Sequence, residues 1–256
     1  MRRLLVIGIG AGDPEHVTKQ AIRALNEVDV LFVVEKGDAA QDLAALRGEI
    51  CERFIEDPSY RVVELADPPR DRAAAAYAAA VDDWRARRAE VWGAALRDEL
   101  GEDAVGAFLV WGDPSLYDGT LDVIDRILDA GLVAFEYEVI PGVSSVHALA
   151  ARHRIALNRV GGAVQVTTGR RLADGGWPDG VDDVVVMLDA HCSFRHIEPE
   201  GVEIFWGAYL GTPDEVLVAG PLASAGPEIE RVRDAARERK GWIMDTYLLR
   251  RSRSRE

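Results

Sequence analysis

The 256-residue sequence predicts an α/β fold in two domains: an N-terminal half with a mainly parallel sheet and flanking helices, then a smaller half with a mixed sheet. Three observations carry this. Five short apolar runs before residue 141 are separated by helix-patterned segments, so the strands they form must be joined by right-handed crossovers. After Arg159 the spacing changes, and strand-like runs follow one another with shorter connections. Two strands, the first and the fourth, run into the same turn, Gly-Asp-Pro at 12–14 and at 112–114. The expected domains are residues 1–142 and 143–256.

The first strand is Leu4 to Ile9, followed by Gly10-Ala11-Gly12-Asp13-Pro14. Thr18 is placed to N-cap a helix, with Val17 and Ile22 spaced as a hydrophobic staple and Ala21, Leu25 and Val28 on its buried face. Val30 to Val34 is apolar without interruption, as a strand covered on both faces must be, and it ends at Glu35-Lys36. Ala39 to Phe54 has helical periodicity, Tyr60 to Leu65 is rich in β-branched residues, and Asp67-Pro68-Pro69 breaks the chain. The Ala-rich segment from Asp71 to Leu100 predicts one long or two shorter surface helices with a solvated charged face. Ala107 to Trp111 is the fourth strand, and Leu121, Ile124 and Leu128 share one face of the helix after it. Val133 to Ile140 is the fifth, ending in Pro141-Gly142-Val143-Ser144-Ser145, where either serine can cap a helix. The second half predicts strands over Val160 to Thr168, Val181 to Leu188, Val202 to Ala208 and Val216 to Gly220, a helix over Glu228 to Lys240, and a solvated basic tail from Arg250 to Arg255.

Acidic residues outnumber basic ones 44 to 30, and the net charge of -14 argues against nucleic acid or an anionic membrane as partner. The two cysteines, Cys51 and Cys192, lie far apart and outside any Cys/His cluster, so neither a disulfide framework nor a metal site is expected. His16, His153, His191 and His196 lack metal-ligand spacing. Met1-Arg2-Arg3 precedes an apolar run too short for a secretion signal, and no stretch is long enough to span a bilayer, which predicts a cytoplasmic protein.

Gly8-Ile9-Gly10-Ala11-Gly12 invites comparison with a dinucleotide-binding turn, and Glu35 even sits where a ribose-binding acid would. The third glycine of that fingerprint should fall at position 13, which is Asp13; a carboxylate there repels a pyrophosphate, and Pro14 removes a backbone donor. A carboxylate at a tight turn suits instead a ligand with hydroxyl and ammonium donors or a positive centre. S-adenosylmethionine is such a ligand, although composition alone does not select it.

Four motifs in order, Gly-x-Gly-x-Gly-Asp-Pro at the N-terminus, the mid-chain Gly-Asp-Pro, Pro-Gly-Val-Ser-Ser followed by Ala148, Ala150 and Ala151, and Tyr209-Leu210-Gly211-Thr212-Pro213-Asp214-Glu215, resemble those of the tetrapyrrole (corrin/porphyrin) methylase family over nearly the whole chain. The resemblance implies a two-domain fold that binds S-adenosylmethionine in the cleft between domains, usually as a homodimer. It implies cofactor contacts from Ala11, Trp111, Gly112, Asp113, Leu116, Ser144 and Ser145, and from Met187 or Leu188 and Tyr209 or Gly211. The family usually has Gly where this chain has Trp111, and often Pro where it has Ala11. Trp111-Gly112-Asp113-Pro114-Ser115-Leu116-Tyr117-Asp118 and Met187-Leu188-Asp189-Ala190-His191 most resemble the deacetylating branch of the family, which methylates precorrin-5 in aerobic cobalamin biosynthesis and releases acetate. For that hydrolysis Asp13, Asp113, Tyr117 and His147 are the catalytic candidates, with His147 more readily read as a helix residue placed by packing than as a base. Arg152, Arg154 and Arg159 are either solvated or available to a polycarboxylate. Another precorrin, uroporphyrinogen or a protein histidine would suit the same fold and cofactor. A nucleotide-binding regulatory protein would leave the turns at 111–114 and 141–142 without a purpose.

Overall fold

The computed structural model describes residues 1–34, 41–69 and 77–252. The expected strand end at Glu35-Lys36, the ribose-binding position Glu35, the helix start at Ala39, the segment 71–76 and residues 253–255 lie outside the described residues. The chain divides into two compact units, Met1–Gly10 with Pro14–Ser144, and Ala11–Asp13 with Ser145–Glu256.

In the first unit β1 (Arg3–Gly8), β2 (Val30–Val34), β3 (Arg61–Leu65), β4 (Val105–Val110) and β5 (Glu136–Ile140) form a parallel sheet in the order β3-β2-β4-β1-β5. Alternation along β1 sends Leu4 and Val6 to one face and Leu5 and Ile7 to the other. Helices α1 (Lys19–Leu25) and α2 (Gln41–Phe54) cover the Leu5/Ile7 face with Leu25, Leu46 and Ile50. Helices α3 (Tyr77–Glu99) and α4 (Thr120–Asp129) cover the other, where the Trp92 ring stacks on Phe108 at 4.5 Å. The α1 cap is as expected: the Ala21 amide donates to Thr18 Oγ1 at 3.0 Å.

The second unit carries β6 (Val164–Thr168), β7 (Asp183–Met187), β8 (Val202–Ala208), β9 (Val216–Pro221) and β10 (Asp245–Arg251) in the order β6-β7-β10-β8-β9, with β6 and β7 parallel and the other pairs antiparallel. Val184, Val186, Ile204, Trp206, Tyr247 and Leu249 make its core together with Ile229 of α7 (Leu222–Lys240). Helix α5 (Ser145–His153) lies along β8 and β10, and the short α6 (Gly169–Gly175) follows β6.

Strand β10 and the short helix α6 escaped the sequence reading, and α7 starts earlier than expected. Strand β10 sits between β7 and β8 at the centre of the sheet, so the arginines expected in a solvated tail are partly structural: Arg250 Nε donates to the buried Asp183 Oδ1 at 2.5 Å, and Arg251 packs over the Trp177 ring at 4.4 Å. Helix α7 begins at Leu222, ahead of Glu228, with Pro227 inside its second turn.

Candidate functional site

The chain leaving β1 crosses beyond β4 to reach β2, whereas the chain leaving β4 crosses beyond β1 to reach β5. The two connections diverge from adjacent strands, α1 on one face and α4 on the other, and this opens a crevice at the carboxyl ends of β1 and β4 where ligands of open α/β sheets bind. Both Gly-Asp-Pro turns begin there. Gly112 donates its amide to the Gly10 carbonyl at 2.8 Å and accepts from the Gly10 amide at 3.3 Å, with both glycines at positive φ.

A third turn closes onto this pair. The Gly142 amide donates to Asp113 Oδ2 at 2.9 Å, while Asp113 Oδ1 accepts from the Ser115 amide at 2.9 Å and from the Ser115 hydroxyl. A methyl group on Gly142 would collide with the Gly112 carbonyl oxygen and stand 2.8 Å from the carbonyl carbon of Gly8. Asp113 is therefore a tie between the β4 and β5 turns. Trp111, Gly112, Asp113, Leu116 and Tyr117 share one loop, in which Tyr117 is exposed and held at φ 53°. Ser144 is buried directly before α5, Ser145 opens that helix, and His147 is exposed on it.

In the second unit Ala11–Asp13 packs on the turn Leu210–Thr212. A side chain at Gly12 would strike the Leu210 carbonyl oxygen, and one at Gly211 would stand 2.7 Å from the Asp13 amide nitrogen. The Gly211 amide donates to Glu215 Oε2 at 2.9 Å, and Glu215 also pairs with Arg152. Tyr209 turns its ring into the core, where its hydroxyl donates to the Trp242 carbonyl at 2.6 Å, so only its backbone belongs to the turn. Arg159 reaches the Arg251 carbonyl.

The end of β7 is built differently. Met187 is half-buried, and Leu188 leaves its apolar side chain 66% exposed at φ 53°, a strained conformation for a branched residue. Asp189, next in line, is buried and accepts from the Tyr247 hydroxyl at 2.6 Å, the Ser193 amide at 2.6 Å, the Ser193 hydroxyl at 2.9 Å and the His191 amide at 3.0 Å. Burial raises its pKa, but these donors outweigh burial and hold the carboxyl below its ordinary value. Arg233 donates to the Asp189 carbonyl at 2.8 Å and to Asp245 Oδ2 at 2.9 Å, which also accepts from Trp206 Nε1 at 2.9 Å. The exposed Leu188 thus stands on a fully bonded buried network. Sequence reasoning named Asp189 only as part of a motif, because nothing local marks a partner 58 residues away.

Among the described residues no group of His, Cys, Asp and Glu is arranged to hold a metal ion, and no helix is long and apolar enough to cross a membrane. At the opposite end of the first sheet a shallow recess is lined by Asp29, Tyr60, Arg61 and Glu99. Its charges are already matched, Arg61 by Glu99 at 3.1 Å and Asp29 by the Val105 amide at 2.8 Å.

Residues 3–226 match the model of the tetrapyrrole (corrin/porphyrin) methylases, and the chain belongs to that family. It is 50% identical over 251 residues, 98% of this chain and 96% of the relative, to a Sinorhizobium protein named precorrin-6A synthase (deacetylating). The solved structure of a cobalamin synthesis related protein (CobF) from Corynebacterium diphtheriae superposes with a TM-score of 0.84 at 35% identity, covering 99% of this chain and 100% of that one. A uroporphyrin-III C-methyltransferase from Thermus thermophilus, solved in complex with S-adenosylhomocysteine, shares the fold at 19% identity with a TM-score of 0.58, covering 96% of this chain and 91% of that one.

Proposed function

We propose that this chain transfers the methyl group of S-adenosylmethionine to a ring carbon of precorrin-5 and releases the two-carbon acyl group as acetate. The observation that carries this reading is the 50% identity, over 98% of the chain, to a protein named for that deacetylating reaction. The crevice suits the cofactor: Gly10 and Gly112, bridged through their main chains at positive φ, bring backbone groups to the carboxyl ends of β1 and β4. Ala11, Trp111, Gly112, Asp113, Leu116, Ser144, Ser145, Met187, Leu188, Tyr209 and Gly211 remain the proposed contacts. The bound cofactor supplies the electrophile, a methyl group on a sulfonium.

An electron-rich macrocycle needs no strong base to take that methyl group, so the chain's part is to position the two partners in line and keep the site dry. Acyl loss needs more. Water must add to the acyl carbonyl, and the bond from that carbon to the ring must break with the acetate leaving and the ring carbon taking the electron pair. Of the candidate water-activating residues Asp13, Asp113, Tyr117 and His147, Asp113 spends both oxygens on Ser115 and Gly142, whereas Tyr117 and His147 keep exposed side chains. A homodimer in the cytoplasm completes the proposal, and light scattering tests its oligomeric part.

Incubating the protein anaerobically with S-adenosylmethionine and precorrin-5 is expected to yield one methylated product and one acetate per turnover, read by mass spectrometry and an acetate assay. Methylation without acetate would place the chain elsewhere in the family, and methylation of another precorrin alone would change the substrate. Asp113→Ala is expected to leave the protein folded but weaken S-adenosylhomocysteine binding about tenfold, because loss of the tie to Gly142 loosens both turns under the ligand. Calorimetry giving an unchanged affinity would remove Asp113 from the site.

A further inference from the structure

Three nitrogen atoms around the crevice end of the first unit are buried without a hydrogen-bond partner among the described residues: Arg47 Nε, Trp111 Nε1 and His16 Nδ1. His16 sets its Cβ against Gly10, and Trp111 immediately precedes Gly112, the bridge partner of Gly10. Arg47 lies on α2 beside Leu46, which shares an apolar cluster with Trp111. Other buried groups lacking a hydrogen bond differ. Arg88 Nε and Asp67 Oδ1 stand 3.0 Å apart as an ion pair, with Arg88 packed over the Trp84 and Trp92 rings at 4.6 Å.

Arg47 has no such partner. Burial pushes its guanidinium below the ordinary value, and Asp118 on the crevice loop pulls it back only partly. Asp118 does not close an ion pair; its Oδ1 accepts from the Thr120 amide at 2.7 Å at the start of α4. Arg47 is half-buried, its Nε shut off from water without a hydrogen bond, and a guanidinium stays charged, so the group is left available to an anion that arrives from outside.

We propose that Arg47 anchors a carboxylate side chain of the tetrapyrrole substrate, with the indole N–H of Trp111 as a second donor at the same sheet end. This rests on the methyltransferase reading above, whose substrate is a polycarboxylate. The planar guanidinium fork can grip both oxygens of one carboxylate, a geometry that lysine does not reproduce.

The test compares Arg47→Gln and Arg47→Lys with the unmutated protein in two equilibrium titrations, anaerobic precorrin-5 followed by tryptophan fluorescence and S-adenosylhomocysteine followed by calorimetry. Arg47→Gln is expected to weaken precorrin-5 binding about tenfold to a hundredfold, Arg47→Lys less, with S-adenosylhomocysteine affinity kept within about twofold. The melting temperature of Arg47→Gln without ligand is expected to hold or rise, since a half-buried charge with an unbonded Nε is gone. Precorrin-5 affinity unchanged in Arg47→Gln, or both ligands weakened equally, overturns the anchor. If the unmutated protein binds S-adenosylhomocysteine but not precorrin-5, the substrate reading falls and the anchor falls with it.

Discussion

Gly142→Ala is expected to cost the protein about 3 kcal/mol or more in stability, at the upper end of what overpacking does, because backbone and not side chain stands in the way. The added methyl group would meet the Gly112 carbonyl oxygen, the Gly8 carbonyl carbon at 2.8 Å and the Gly8 Cα at 2.9 Å. Flexible side chains can swing aside, but these atoms are main chain: Gly8 ends β1 and pairs with Val110 of β4, and Gly112 is hydrogen-bonded to Gly10. Relief would require the β4 and β5 turns to part, which breaks the Gly142 bond to Asp113. Gly48→Ala makes a matched control: Gly48 lies within α2 with nothing within 4 Å of a new methyl group, so the change is expected to stabilise by about 0.5–1 kcal/mol. Denaturant melts of the two variants should move in opposite directions. A loss below about 1 kcal/mol in Gly142→Ala would show that the turns part easily.

The second large effect belongs to the buried pair under Leu188. Arg233 and Asp245 side chains are 5% and 6% exposed, and Asp245→Ala would leave the Arg233 charge in the core without its carboxylate and Trp206 Nε1 without its acceptor. The expected cost is about 3–5 kcal/mol. Exchanging both residues for apolar ones of similar volume, Arg233→Met with Asp245→Leu, should recover much of it, since the desolvation of both charges disappears together. The double variant does lose the Arg233 bond to the Asp189 carbonyl, so S-adenosylhomocysteine affinity should stay reduced after stability returns. Denaturant melts and calorimetry on the single and double variants separate the two effects. A double variant no more stable than Asp245→Ala would mean that the network is worth more than its charges.

The parallel sheet was legible because strands covered on both faces read as apolar runs, and β1, β2 and β4 are such strands. The edge strand β5 is mostly exposed and starts at Glu136, later than its apolar lead-in at Val133 suggested. Strand β10 was illegible for a different reason. Its Asp-Thr-Tyr-Leu-Leu-Arg-Arg sequence carries charges at both ends that look solvated until Asp183 and Trp206 supply partners from β7 and β8. The turns announced themselves through Gly, Asp and Pro, since those residues are placed by local backbone geometry. Arg47 announced nothing, because an arginine on an amphipathic helix reads as solvated, and only its unbonded, water-excluded Nε distinguishes it.

The three-residue segment Ala11–Asp13 sits in the second unit although the residues on both sides of it belong to the first. It packs on Leu210–Thr212, so its docking has to wait for the ribosome to make about 200 more residues, roughly 10–40 s at ordinary synthesis rates. During that interval the nascent chain holds this turn unfinished. Excising the first unit as a contiguous fragment would make that state permanent.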